Sequence, residues 1–139
     1  MKVTARYTFE SAHRLDDPTL SADRNTALYG PCARTHGHTY RLEITLAGDA
    51  LEHGMLINFT DLDALVYERV IGLLDHRLVN DIPYFAEHPS TAECLAQWAW
   101  EQLSPHFGDG TSHPTVALEE VTVYEGERFS ATVARSSVS

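Results

Sequence analysis

Two stretches near the N-terminus alternate apolar and polar residues, and histidine lies on the apolar face of each. From Lys2 to Ala12, the residues Val3, Ala5, Tyr7, Phe9 and Ser11 fall on one face, which ends at His13; Lys2, Thr4, Arg6, Thr8 and Glu10 fall on the other. From Thr39 to Ala47, the residues Tyr40, Leu42, Ile44 and Leu46 continue a face that His36 and His38 begin. Successive side chains of a strand point to opposite faces, so a period of two reads as a half-buried strand. Antiparallel pairing of the two strands brings His13 next to His38.

The second strand is preceded by Cys32-Ala33-Arg34-Thr35-His36-Gly37-His38, a thiol and two imidazoles within seven residues. Zinc favours nitrogen and sulfur ligands, and catalytic zinc sites use three protein ligands and keep one position open. His36 and His38 are the first two candidates and His13 the third; an ordinary core histidine is the competing reading of His13. Cys32 is either a fourth ligand, closing a structural site, or a free thiol beside an open one. A thiol has a reference pKa of about 8.5 and needs a nearby zinc, arginine or protonated histidine to act at neutral pH. Spacing leaves both roles open.

The rest of the chain predicts a single α+β domain over residues 1–139. Asp16–Pro31 reads as a long loop of functional type. Gly48–Gly54 reads as a turn, and Met55–Phe59 as a short extended return. Asp61–Leu74 has helical spacing at Leu62, Leu65, Val66, Arg69, Val70 and Leu73, with Thr60 as N-cap. Pro83–Pro89 is a loop, and Ser90-Thr91-Ala92-Glu93 is a capping box that opens a helix to about Leu103. After a polar break, Thr115–Glu125 and Arg128–Arg135 read as two more strands, and Ser136–Ser139 as a frayed end. The order predicts a four-stranded antiparallel sheet with two helices on one face. Its open edges favour pairing between subunits. Trp98 and Trp100 are core or subunit-contact residues, and His53, His88, His106 and His113 ordinary surface residues.

The formal net charge of −10, from 20 acidic and 10 basic residues, disfavours nonspecific binding to nucleic acid or an anionic membrane. An anionic small molecule remains compatible with it, because Arg14, Arg34 and Arg77 lie beside the candidate motifs. No apolar run approaches the roughly 20 residues of a membrane helix, and no signal-peptide pattern opens the chain. The expected location is cytoplasmic, with Cys32 and Cys94 both reduced.

Two further constellations carry chemistry. Asp75-His76 places a carboxylate beside an imidazole at a helix end, fit to orient it for proton transfer or simply to face solvent. Glu125 follows Val121 and Val123 at period two, so it points from an apolar face into a pocket or the core. A carboxylate there needs partners: an N–H-rich ligand, an arginine or backbone amides.

Five segments in this order resemble the 6-pyruvoyl-tetrahydropterin synthase family, and within it the bacterial 6-carboxy-tetrahydropterin synthases. They are Phe9–Leu15, Cys32–Tyr40, Leu74-Asp75-His76 through Asn80–Pro83, Thr91-Ala92-Glu93 with its helix, and Val121–Glu125. The resemblance implies a tunnelling fold in which trimers close a barrel and two trimers stack into a homohexamer. It implies zinc on His13, His36 and His38. It implies proton transfer by Cys32, Asp75 and His76, the last two reaching the site from a neighbouring subunit, and pterin binding by Glu125 and Thr91. The implied substrate is 7,8-dihydroneopterin triphosphate. The implied product is 6-carboxy-5,6,7,8-tetrahydropterin, a 7-deazapurine (queuosine-type) precursor, formed with release of acetaldehyde and triphosphate. The short spacing from Cys32 to His36 resembles the carboxy-forming branch. A pyruvoyl-forming enzyme and a non-catalytic structural-zinc module are the alternatives. Ser90 departs from the family pattern, in which a proline often stands there.

Overall fold

The computed structural model describes residues 1–138. Its centre is a five-stranded sheet of order β3-β1-β2-β4-β5, with β1 Lys2–His13, β2 His36–Ala47, β3 Arg77–Leu78, β4 Ala117–Glu125 and β5 Phe129–Ala134. The four long strands pair antiparallel, as their alternation predicts. The sheet as a whole is mixed, because β3 pairs parallel to β1 through Ser11–Arg77 and Ala12–Leu78. A two-residue strand leaves no periodicity to read, which is why a purely antiparallel four-stranded sheet was the expectation.

Three helices accompany the sheet. Helix α1, Ala22–Tyr29, lies inside the stretch expected to be loop. Its Ser21 side chain caps it by accepting from Arg24 N–H. Buried Asn25 ties the stretch together, donating to Asp16 Oδ1 (2.9 Å) and the Asp17 carbonyl (3.1 Å) and accepting from Asp17 N–H (2.8 Å). Helix α2 begins at Phe59, with Asn58 rather than Thr60 as N-cap. It runs as an α-helix over Phe59–Val66, a π-helical turn over Tyr67–Ile71 and a last α turn over Gly72–Leu74. The π turn inserts a residue into the helical phase. Ile71 and Leu74 therefore turn inward, and Leu73, expected on the apolar face, is exposed. The expected return strand Met55–Phe59 is replaced by a tight turn with one bridge between Glu52 and Met55. Helix α3, Ala92–Leu103, is capped by Thr91, not Ser90.

The core lies between one sheet face and these helices. Tyr40, Leu42, Ile44, Leu46, Val121 and Val123 meet Leu62, Val66 and Val70 of α2 and Leu95, Trp98, Ala99 and Leu103 of α3. Trp98 and Trp100 are both buried, which selects the core reading. Tyr7 donates to Asp63 Oδ1 at 2.7 Å and ties β1 to α2. The opposite sheet face is polar, with Arg6 Nε 3.0 Å from Glu43 and Thr4 and Thr45 hydroxyls 3.1 Å apart. Arg135–Ser137 forms a 3-10 turn where fraying was expected, and Ser139 lies outside the described residues. Among the described residues no helix is long and apolar enough to cross a membrane.

Candidate functional site

The β1–β2 ladder runs in register to its end, with His13 opposite His36 and Ser11 opposite His38. Directly opposed residues share a face, so all three imidazoles leave the same side of the sheet. Ring centroids stand 4.6 Å (His13–His36), 5.2 Å (His13–His38) and 4.9 Å (His36–His38) apart. One nitrogen from each lies within 4.8 Å of the others, so the group can hold a metal ion.

The hydrogen bonds assign the nitrogens. His13 Nδ1 lies 2.8 Å from the Ser90 carbonyl, and His36 Nδ1 lies 2.7 Å from the Arg34 carbonyl. A carbonyl only accepts, so each Nδ1 carries the proton and each neutral ring keeps its lone pair on Nε2. Such bonds orient metal-binding histidines and fix their tautomer. Burial holds the His13 pKa below its ordinary value, against the opposing effects of the Ser90 contact and Glu125, which keeps the ring in its ligating form. The Nε2 atoms of His13 and His38 are buried without a hydrogen-bond partner in the protein. Two ring nitrogens taken from water within one three-histidine group fit a zinc ion.

Ser90 is the residue that sequence reasoning missed. Fully buried, it accepts from His13 through its carbonyl, approaches the same Nδ1 with its Oγ at 3.3 Å, and donates from Oγ to the Arg14 carbonyl at 3.0 Å. Asn80 grips the other side of Arg14, accepting from its N–H and donating to its carbonyl, both at 2.9 Å. The backbone just past His13 is thus held by two side chains distant in sequence.

Glu125, opposite Tyr40 in the β2–β4 ladder, shares the histidine face. Its carboxylate lies 3.4 Å from His38 Nε2 and 4.0 Å from His13 Nε2. Among the described residues its ion-pair partners are these imidazoles, not an arginine. Tyr40 is completely buried between Phe9 and the two histidines, and burial with the Glu125 charge holds its phenol protonated far above the usual range.

The structure keeps Cys32 out of the histidine group. It is an exposed free thiol in the 3-10 turn Gly30–Ala33. Asp75 and His76 form a real pair: His76 Nδ1 is 3.0 Å from Asp75 Oδ1, which also accepts from Glu10 N–H at 3.0 Å. The Glu10 amide, then His76, holds the Asp75 carboxyl below its usual range. His76 has φ 57° and bonds its N–H to the Glu10 carbonyl at 2.6 Å. His76 lines an open depression of about 510 Å³ bordered also by Glu10, Gly37, Thr39 and Arg77, and neither Asp75 nor Cys32 is on its rim. Thr91 Oγ1 accepts from Cys94 N–H at 3.2 Å as the cap of α3, leaving its own proton to donate. Arg14, Arg34 and Arg77 are exposed and form no ion pair with a carboxylate among the described residues. Of the four remaining histidines, His88 stacks on Tyr84 and His113 on Phe107, both half-buried rather than free on the surface.

The 6-pyruvoyl tetrahydropterin synthase family model matches residues 2–136. The 6-pyruvoyl tetrahydrobiopterin synthase of Dictyostelium discoideum is 37% identical, covering 90% of this chain and 96% of its own length. The human enzyme of that name is 33% identical, covering 91% and 92%. The 6-carboxy-5,6,7,8-tetrahydropterin synthase of Bacillus subtilis is 36% identical, covering 62% of this chain and 60% of its own. The structure of Caenorhabditis elegans 6-pyruvoyl tetrahydropterin synthase superposes with a TM-score of 0.85 at 28% identity, over 96% of this chain and 94% of that one. With the match running through every strand and helix, the chain belongs to the 6-pyruvoyl tetrahydropterin synthase family.

Proposed function

We propose that the protein is a zinc-dependent carbon–carbon lyase that converts 7,8-dihydroneopterin triphosphate to 6-carboxy-5,6,7,8-tetrahydropterin, and that it works in the cytoplasm as a homohexamer. The supporting observation is the convergence of three imidazoles beside Glu125, with the thiol held apart. His13, His36 and His38 would hold zinc, which supplies Lewis acidity to the hydroxyls of the substrate side chain. Glu125 accepts from the amino and ring N–H groups of the pterin, and Thr91 donates its remaining hydroxyl proton. Asp75 keeps the His76 proton on Nδ1, which leaves Nε2 to take up and return a proton. Cys32 serves the opposite side of the site, with the dyad coming from a second copy. Overall, one water is consumed, triphosphate and acetaldehyde leave, and a carboxylate remains on the ring. The unpaired Arg14, Arg34 and Arg77 suit a polyanionic substrate on an otherwise acidic chain. The product would feed 7-deazapurine synthesis of the queuosine type.

A second reading, formation of 6-pyruvoyl-tetrahydropterin from the same substrate, is favoured by the longer coverage of the pyruvoyl-forming relatives. The non-catalytic structural-zinc reading is disfavoured by the position of Cys32 outside the histidine group. Incubation of zinc-loaded protein with dihydroneopterin triphosphate, followed by mass spectrometry and an acetaldehyde assay, tests all three. Acetaldehyde with the carboxy product is the expected result. A pyruvoyl product without acetaldehyde selects the second reading, and no turnover defeats both.

A further inference from the structure

Among the described residues, three buried side-chain polar atoms have no hydrogen-bond partner in the protein: His13 Nε2, His38 Nε2 and the Tyr40 hydroxyl. All three belong to one cluster. The nitrogens suit a metal, but the phenol has no part in the three-histidine group. A phenylalanine would fill the same space without a polar atom to satisfy, so the hydroxyl itself needs an explanation.

Its surroundings supply one. The Tyr40 ring stacks on Phe9 with centroids 5.1 Å apart and planes 7° apart, and stands edge-on to His38 at 5.5 Å and His13 at 6.0 Å. Those contacts fix the ring. Across the β2–β4 ladder it faces Glu125, whose carboxylate has ion-pair contacts, among the described residues, with the two imidazoles alone. A donor without an acceptor and a part-exposed carboxylate that can accept thus occupy one rung of the same sheet face. A buried hydroxyl without a protein partner is the kind of group that a structural water satisfies.

We propose that Tyr40 is a positioning residue for Glu125: its hydroxyl donates through one buried water to the Glu125 carboxylate, holding it in the orientation that receives the N–H groups of a 2-aminopyrimidinone ring. Only the identity of that ring rests on the functional reading above; the Tyr40–Glu125 link does not.

The test uses full-length zinc-loaded protein as wild type, Tyr40→Phe, Glu125→Ala and the double variant. Zinc content should stay equal in all four. Neopterin binding, read by quenching of its fluorescence, should weaken about 5-fold in Tyr40→Phe, the scale of one net hydrogen bond, and the double variant should bind no worse than Glu125→Ala. Thermal melts without pterin give an independent arm. With the link present, Tyr40→Phe lowers the melting temperature by a few degrees in the Glu125 background and does not lower it in the Glu125→Ala background. A hydroxyl with no link to Glu125 predicts that Tyr40→Phe raises the melting temperature in both backgrounds, and that result overturns the proposal. So does wild-type neopterin affinity in Tyr40→Phe. If wild type itself binds no neopterin, the pterin reading falls while the melts still decide the link.

Discussion

The imidazole of His13 is held by residues far away in the chain. Ser90 contributes its carbonyl and its hydroxyl, and Asn80 clips the backbone just beyond. Ser90→Ala keeps the carbonyl and removes the hydroxyl, so zinc affinity should fall about tenfold, the lower end for an outer hydrogen bond to a ligand. Chelator competition measures this, and an unchanged affinity would make Ser90 mere packing. Cys32→Ala should abolish turnover while keeping one zinc per subunit; zinc loss there would put the thiol back among the ligands. Asp75 titrates below its ordinary value. Its stabilising contribution is therefore complete above the unfolded pKa of about 3.9 and disappears as pH falls through the lower folded value. Asp75→Asn should flatten the acid side of the stability profile in urea melts, and equal slopes would refute the assignment. The shared face of the three histidines and Glu125 was legible because period two alone places them on one side of their strands. Ser90, Asn80 and Tyr40 were not, because their roles are contacts made across the fold. Ser90 looked like a helix cap, and its neighbour Thr91 does that work.

Helix α2 shows how an element can be right in kind and shifted in phase. Apolar spacing called for a helix, but the π turn over Tyr67–Ile71 rotates everything after it. Gly72 permits the turn, since a Cβ there would stand 2.8 Å from the Tyr67 carbonyl oxygen. Gly72→Ala gains helix propensity of up to about 1 kcal/mol, yet crowding against backbone costs about 1–3 kcal/mol. Net destabilisation is expected in denaturant unfolding, and a more stable variant would mean the turn relaxes freely. The phase matters for the Asp75–His76 pair, because Asp75 follows directly and bonds its N–H to the Ile71 carbonyl. No residue pattern announces an extra residue inside a helix. Helix α1 was hidden for another reason: Asp, Pro, Thr and Ser dominate its approach and compose a loop by local rules. Buried Asn25 stabilises it instead.

At the scale of the molecule, the sheet ends in β5 on one side and two-residue β3 on the other, with one face covered by helices and one polar. Among the described residues of one chain, no hydrogen bond between side chains joins the Asp75-His76 pair and the Cys32 turn. If each site draws its thiol and its dyad from different copies, Cys32→Ala and His76→Ala should be inactive separately and recover roughly a quarter of the wild-type sites when mixed and reassembled. Absence of any rescue would place both in one chain. The overall α+β architecture was readable from alternation and helical spacing, whereas the mixed pairing at β3 required the third dimension. One feature of the ladder reaches beyond catalysis. His13 and His36 form the last rung of β1 and β2, the far end of a zipper whose other end is Lys2 and Ala47. A slip of one residue anywhere along it would send alternate side chains to the opposite face and scatter the three imidazoles. A metal ion held by all three imidazoles would bind only the correctly closed zipper, so each tenfold rise in free ion above its dissociation constant would favour that alignment alone by about 1.4 kcal/mol. An ion bound there would thereby also proofread the assembly of the sheet.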